Sequence, residues 1–235
     1  MQSKLRRPNE PCRALPPHHW PRLRALRDVC QLNEHLLGVL STAAASGAPS
    51  TLGLLTQNSE LWCSLDSSSR SRAAQIPILL LDLKFQDETW WNGIVRAASC
   101  RSTYEVSAEQ GVDPWLTEFT RQALMLAWPS VREDRASAAL LFGMSEPVAA
   151  IIGALAPQQV DHVSVHHSRA IRVRWAEFPV FWRKLLMAAQ ADDIQTLRDL
   201  HLYGLQLLGG EMLRAREMRC GSPSRPGRRA GFILN

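Results

Sequence analysis

The stretch Arg132–Pro157, REDRASAALLFGMSEPVAAIIGALAP, predicts two short helices joined by a tight turn. Its first half, up to Phe142, is rich in Ala and Leu and lacks Gly and Pro, which favours a helix. Gly143 tolerates the positive φ needed at a helix end, and Ser145 followed by Pro147 is typical of a capped helix start. Helix, glycine turn and capped helix together are typical of a helix-turn-helix.

The second helix of this motif is a poor candidate for reading DNA bases. A recognition helix uses Arg, Lys, Asn or Gln to contact base edges in the major groove. Residues 148–155 read VAAIIGAL, which is material for a core or an interface. We therefore expect any DNA contact to come from the flanks of the motif, through Arg132, Arg135 and Ser145.

The composition indicates a globular protein that stays off the membrane. With 235 residues and 46% hydrophobic content, the chain can bury one good core or two small ones. Glu146 and Pro147 interrupt the best apolar stretch, so we expect no membrane span. The basic N-terminus is not followed by an apolar segment, which argues against a secretory signal and for a cytoplasmic location. The five cysteines form no C-x-x-C pair, which argues against a zinc module or a disulfide framework.

Positive charge is concentrated at the two ends of the chain. Residues 1–27 hold seven Lys or Arg against one Glu, and residues 214–235 hold six Arg against one Glu. Because the net charge of the whole chain is +5, the segment between them carries −6. Basic ends around an acidic body are typical of phosphate-binding arms, and they are equally typical of solubilising tails.

The apolar spacing predicts a mostly α-helical fold with one short strand in each half. The strand predictions are Ile78–Phe85, ILLLDLKF, and Ala170–Trp175. The last helix is predicted over Asp192–Leu208, ended by Gly209 and Gly210. The predicted divisions are a basic Pro-rich arm at 1–19, a helical unit at 20–100, a linker at 101–113, a second unit at 114–210 and a basic disordered tail at 211–235.

The two halves repeat the same order of elements at a spacing near ninety residues. Phe85 is followed six places later by Trp91, and Trp175 is followed six places later by Phe181. The shared order favours a duplication, with coincidence between two helix–strand–helix units as the alternative. If the unit is duplicated, the chain folds as an internal pseudo-dimer with a helix-turn-helix-like element in each half. Ile78–Phe85 then pairs with Ala170–Trp175.

The polar side chains do not assemble into a recognisable catalytic pattern. The sequence has no Ser/His/Asp order, phosphate-cradling glycine loop or metal signature, so we predict no enzyme activity, catalytic residue, metal or cofactor. His162, His166 and His167 lie in a polar stretch without cysteine nearby, and solvated loop histidines are the simpler interpretation. Adjacent acidic residues such as Asp192 and Asp193 do not face each other on a helix, which favours capping or surface roles.

The second half resembles FlhD, the helical subunit of the bacterial flagellar master transcription activator. The similarity covers residues 116–209 and rests on four stretches in the same order and spacing. Its most specific part is DRASA at 134–138, with Gly143 nine residues after Asp134. The four stretches are LMLAWPSVREDRASA, FGMSEPVAAIIGALAPQQV, RAIRVRW and ADDIQTLRDLHLYGLQLL.

The resemblance implies a transcriptional regulator of flagellar or motility-type genes that acts with an FlhC-like activator subunit on promoter DNA. It implies helical subunits that form oligomers. By this resemblance, residues 134–141 influence DNA binding and residues 189–203 bind the partner. The implied DNA-binding residues, with the flanking candidates, are Arg132, Asp134, Arg135, Leu140, Leu141 and Ser145. The implied partner-binding residues are Asp192, Asp193, Arg198, Asp199, His201 and Tyr203. The alternative is a protein-interaction adaptor that keeps the fold without binding DNA.

Overall fold

The computed structural model describes residues 20–46, 53–100 and 114–220, and within them the fold is mostly α-helical, as predicted. The predicted arm 1–19, the linker 101–113 and residues 221–235 of the tail lie outside the described residues. The elements of the first half are α1 Trp20–Ala45, α2 Gly53–Gln57, α3 Ser59–Cys63, α4 Ser67–Ala73, β1 Leu81–Asp82 and α5 Glu88–Cys100. Those of the second half are α6 Pro114–Glu133, α7 Arg135–Phe142, α8 Glu146–Ala154, α9 Pro157–His166, a 3-10 turn Ser168–Ala170, β2 Arg172–Val173, α10 Pro179–Gln190 and α11 Ile194–Cys220.

The two strands pair with each other in an antiparallel ladder, with Leu81 opposite Val173 and Asp82 opposite Arg172. The predicted strand segments therefore meet, although each forms only two residues of strand. The strands end early because Lys84 and Trp175 adopt positive φ angles of 49° and 54°, which no extended strand accommodates.

The backbone repeats these features at a spacing of 91 residues. The strands begin at 81 and 172, the following helices begin at 88 and 179, and the positive-φ residues are Lys84 and Trp175. Positive φ is uncommon outside glycine, so its recurrence at the same place after both strands is informative. This spacing aligns Trp175 with Lys84, whereas the sequence pattern aligned it with Phe85. Trp91 accordingly corresponds to Trp182, and both are fully buried.

The buried apolar side chains of both halves form one continuous core. Trp62 of α3 and Trp182 of α10 lie at its centre, with their ring centroids 5.7 Å apart. Helix α1 packs against α6, and α4 packs against α10, so each half buries its apolar face against the other.

The corresponding tryptophans differ in their hydrogen bonds, and this difference predicts unequal costs of substitution. Nε1 of Trp182 donates to the carbonyl oxygens of Arg174 and Trp175, both at 3.1 Å. Nε1 of Trp91 is buried without a hydrogen-bond partner in the described part of the chain. We expect Trp182→Phe to lower the free energy of unfolding by about 1–2 kcal/mol more than Trp91→Phe, because only the first change removes a buried hydrogen bond. Urea denaturation followed by circular dichroism measures both, and equal losses would contradict the expectation.

Helix α9 lies where His162 and His166 were expected in a polar loop, and α4 forms from a second polar run of sequence. Helix α4 begins after Asp66, whose side chain accepts a hydrogen bond from Ser69 N at 2.7 Å. That hydrogen bond, supported by nearby Arg70 and Arg72, lowers the pKa of Asp66. Helix α9 begins after Ala156, whose N–H donates to Gln159 Oε1 at 2.8 Å. Both helix starts are thus held by a hydrogen bond between side chain and backbone, and one face of each helix is buried in the core.

Helix α11 does not end at Gly209 and Gly210, so the predicted helix end at Leu208 is wrong. Two helical glycines cost only about 1 kcal/mol each relative to alanine. Buried Leu208 and Ala215 pack on either side of them, and Glu211 forms an ion pair with Arg174 at 3.2 Å. These contacts stabilise the helix beyond the two glycines, so that it continues to Cys220.

Among the described residues, no single helix combines the length and the apolar character of a membrane span; only the bent pair α7 and α8 together reach those limits.

Candidate functional site

The predicted helix–turn–helix segment forms a sharp corner between α7 and α8, with a change of direction of 109°. Asp134 caps α7 by accepting hydrogen bonds from Ser137 N at 3.1 Å and Ser137 Oγ at 2.8 Å. Gly143 has φ 62° and ψ 43°, the left-handed conformation that ends the helix. Ser145 caps α8 by accepting from Val148 N at 3.4 Å. Local sequence thus accounts for each turn of this α7–α8 corner.

Helix α8 is an internal element of the fold. Val148, Ala149 and Ile152 are buried, and Glu146 is the only charged or amide side chain along the helix. A helix without exposed donors for base edges cannot read DNA sequence directly. The apolar character predicted for α8 therefore serves packing.

The six predicted DNA-binding residues fall into two groups in the structure. Arg132 is exposed and its guanidinium carbon lies 4.9 Å from the ring centre of Trp128, while Arg135 pairs with Glu146 at 3.4 Å. Leu140 is 56% exposed and Leu141 is half-buried.

The second group, Asp134 and Ser145, caps the starts of α7 and α8. Asp134 is the α7 cap, and Ser145 is 3% exposed with its hydroxyl on Val148 N. Ser145 is thus withdrawn from the surface, and a phosphate contact through its hydroxyl has no support in the structure.

The first half of the chain holds the corner in place. Leu79 N donates to Leu141 O at 2.8 Å, and Gln86 Nε2 donates to Gly143 O at 2.6 Å. In return, Ser145 N donates to the carbonyl oxygen of Phe85 at 2.9 Å. These bonds satisfy the backbone groups that every helix end leaves open. The β1 region of the first half therefore sets the orientation of the corner in the second half.

Arg174, which the sequence analysis did not single out, lies beside this corner and is 4% exposed. Its guanidinium donates to the carbonyl oxygens of Phe142 at 2.7 Å and Leu79 at 3.0 Å. It also forms ion pairs with Asp82 and Glu211, both at 3.2 Å. Strand alternation would place Arg174 on the same exposed side as Arg172, so the sequence pattern pointed away from burial.

The predicted partner-binding residues cluster where α10 turns into α11. Asp192 adopts φ 54° and its Oδ1 lies 3.3 Å from Arg72 Nε. Asp193 accepts hydrogen bonds from the hydroxyl and the N–H of Thr196, and these bonds lower the pKa of the Asp193 carboxyl. Arg198 and Asp199 are exposed on the next turn. Asp192 and Asp193 therefore shape the turn, and Arg198 and Asp199 lie exposed beyond it, where Asp199 Oδ1 accepts a hydrogen bond from Gln195 Nε2 at 3.2 Å.

The same region carries an apolar surface that the sequence analysis did not identify. Ile194 is 58% exposed and Leu202 is 60% exposed, next to Tyr203 at 47%. His201 is partly buried, which lowers the pKa of its imidazole, and its Nε2 has no hydrogen-bond partner among the described residues. Exposed apolar side chains beside charged ones are typical of a protein-binding surface.

Within residues 20–46, 53–100 and 114–220, no group of three or more metal-binding side chains lies close enough to hold an ion.

The chain matches no family model, no curated protein and no solved structure. The two predicted sites are connected through α11, because Leu208 of this helix packs against Gly143 of the corner.

Proposed function

We propose that this chain is a transcriptional regulator of the FlhD type, which acts with an FlhC-like activator subunit on promoter DNA of flagellar or motility-type genes. The observation that carries the proposal is the α7–α8 corner. It combines the Asp134 cap, the left-handed Gly143 and the Ser145 cap in the segment with the strongest resemblance to FlhD. The exposed Arg132 and Arg135 beside it are suited to phosphate contacts.

The proposal includes an internal pseudo-dimer of two FlhD-like units. Its support is the 91-residue spacing of strands, helix starts and positive-φ residues. Further support comes from the antiparallel pairing of β1 with β2, because two equivalent strands related by a twofold axis pair in this direction. A single chain then supplies both halves of an interface that otherwise joins two subunits.

In this proposal the partner binds the first turns of α11. Arg198 and Asp199 provide polar contacts, and Leu202 and Tyr203 provide apolar area, while the buried Nε2 of His201 lies beneath them. An interface of this kind takes most of its affinity from a few buried aromatic and apolar side chains within a polar rim. DNA sequence specificity belongs mainly to the partner, since α8 offers no donors for base edges.

The alternative is a protein-interaction adaptor without DNA binding, and one observation favours it. The body of the chain between the basic ends carries a net charge of −6, which repels phosphate. The two functions share the partner surface on α11 and differ in the role of Arg132 and Arg135.

An electrophoretic mobility assay on promoter DNA, with and without the FlhC-like subunit, distinguishes the two functions. For the regulator we expect this chain to shift or tighten the partner–DNA complex at low salt. We expect the double change Arg132→Ala with Arg135→Ala to reduce the slope of log K against log salt by about 2, which is about one per lost phosphate contact. Arg96→Ala, an exposed arginine on α5, is the matched control. If the chain leaves the partner–DNA complex unchanged at low salt, the adaptor function is the correct one.

Recovery of the partner from the native cell tests the α11 surface separately. We expect Leu202→Asp with Tyr203→Ala to abolish recovery, because the two changes replace exposed apolar area with a charge and a small side chain. Met218→Ala, at the far end of α11 and 73% exposed, is the control. Equal recovery by the wild type and the double variant would show that the partner binds elsewhere.

A further inference from the structure

Helix α11 reaches the α7–α8 corner at the glycine that makes the turn. A Cβ atom placed on Gly143 would lie 2.6 Å from Leu208 Cδ1 and 2.7 Å from Arg174 Nη2. Leu208 is 1% exposed, so this contact is internal. The turn is therefore enclosed by α11 on one side and by the Arg174 guanidinium on another.

The Arg174 guanidinium joins three parts of the fold with four hydrogen bonds. Nη2 donates to Phe142 O, the carbonyl next to the turn, and to Asp82 of β1. Nε donates to Leu79 O, and Nη1 donates to Glu211 of α11. A buried guanidinium is tolerated only when its donors are satisfied, so loss of one carboxylate weakens the remaining bonds as a group.

We propose that Arg174 is a positioning residue that couples the docking of α11 to the orientation of the α7–α8 corner. Glu211 accepts hydrogen bonds from Arg174 Nη1 at 3.2 Å and from Trp175 Nε1 at 2.8 Å, and of these two partners only Arg174 also holds the last carbonyl of α7. Because α11 begins with the proposed partner surface, a partner bound to its first turns acts on the corner through the same helix. This last step rests on the proposed function, whereas the coupling between Glu211 and the corner does not.

The first half of the chain shows that the repeated unit does not itself require this arginine. At the 91-residue spacing, the position that corresponds to Arg174 is Leu83, which is fully buried. The strand region of the first half thus packs an apolar side chain where the second half places a cation. The arginine occurs only in the half that α11 follows, in agreement with a role specific to α11.

Amide hydrogen exchange of the full chain, without DNA or partner, tests the coupling. Met144 N is bonded to Ala139 O at 2.8 Å and Ser145 N to Phe85 O at 2.9 Å, so both amides report on the corner. We expect Glu211→Gln to speed their exchange roughly tenfold, because a charge-assisted hydrogen bond becomes a neutral one. Protected amides of α1 keep their rates. Glu217→Gln, the same change on an exposed position of α11, is the control and leaves all rates unchanged.

Arg174→Met separates hydrogen bonding from packing, since methionine fills a similar space without donors. We expect fast exchange at Met144 and Ser145 in this variant, and no additional effect when Glu211→Gln is combined with it. Wild-type rates at both amides in Glu211→Gln would overturn the proposal, as would additive effects in the double variant. If Arg174→Met does not fold, the single change Glu211→Gln decides. Partner recovery and DNA binding are measured in separate experiments. Failure of the proposed function can therefore be distinguished from failure of the coupling between Glu211 and the corner.

Discussion

Replacement of Gly143 by alanine is expected to lower the free energy of unfolding by about 3 kcal/mol. Gly143 has φ 62°, and a residue with a Cβ loses about 1–2 kcal/mol in this left-handed region. The new Cβ would also lie within 2.7 Å of both Leu208 and Arg174, and overpacking of a filled site costs about 1–3 kcal/mol. Neither neighbour can move freely, because Leu208 is buried in the core and the Arg174 guanidinium is held by four hydrogen bonds.

Gly209→Ala is the matched control, and we expect it to raise the free energy of unfolding. Gly209 lies inside α11, and nothing lies within 4 Å of a Cβ placed on it. Alanine at an unobstructed helical position stabilises by about 0.5–1 kcal/mol relative to glycine. Urea denaturation of the two variants and the wild type measures both effects. A loss below about 1 kcal/mol for Gly143→Ala would mean that the turn relaxes, which contradicts its enclosure by Leu208 and Arg174.

Replacement of Asn33 by alanine is expected to have a similarly large effect, about 3 kcal/mol. Asn33 lies on α1 and is fully buried. Its Oδ1 accepts a hydrogen bond from Leu80 N at 2.8 Å, and its Nδ2 donates to Ile78 O at 2.8 Å. The substitution leaves one N–H and one C=O of the segment before β1 buried and unpaired, at about 1–3 kcal/mol for each.

The exposed Gln31 on the same helix provides the control for Asn33. Gln31→Ala removes a side-chain amide of the same chemistry from a solvent-facing position, where substitutions change stability by about 0.5 kcal/mol or less. Thermal and urea unfolding should therefore separate the two variants clearly. Equal stability of the two variants would mean that water replaces the Asn33 contacts.

The sequence pattern suggested a repeat at a spacing of 90 residues, whereas the strands, helix starts and positive-φ residues of the fold recur at 91. Aromatic residues six places apart suggested that Trp175 corresponds to Phe85, whereas the backbone aligns Trp175 with Lys84. A positive φ angle leaves no clear mark on a sequence when the residue is not glycine. Side-chain similarity was therefore the only guide, and it was off by one position.

The candidate site was predicted in part. Gly143 and Ser145 act as the sequence predicts, because such turns and caps involve groups only a few residues apart, whereas Asp134, predicted within a helix, caps the start of α7. The placement of Ser145 among DNA-contacting residues has no structural support, since its capping role draws it into the interior. Arg174 and Asn33 were missed because their hydrogen-bond partners lie more than thirty residues away along the chain.

What the sequence by itself determined is local: the mostly helical class, the corner between α7 and α8, and the two segments that pair as strands. Each depends on side-chain periodicity or on caps within one or two helical turns. The tertiary structure decided the length of the strands, the extension of α11 past Gly209 and the burial of the Arg174 cation. These three depend on free energies from contacts between distant segments. Such contacts outweigh local preferences of about 1 kcal/mol and cannot be read from neighbouring residues.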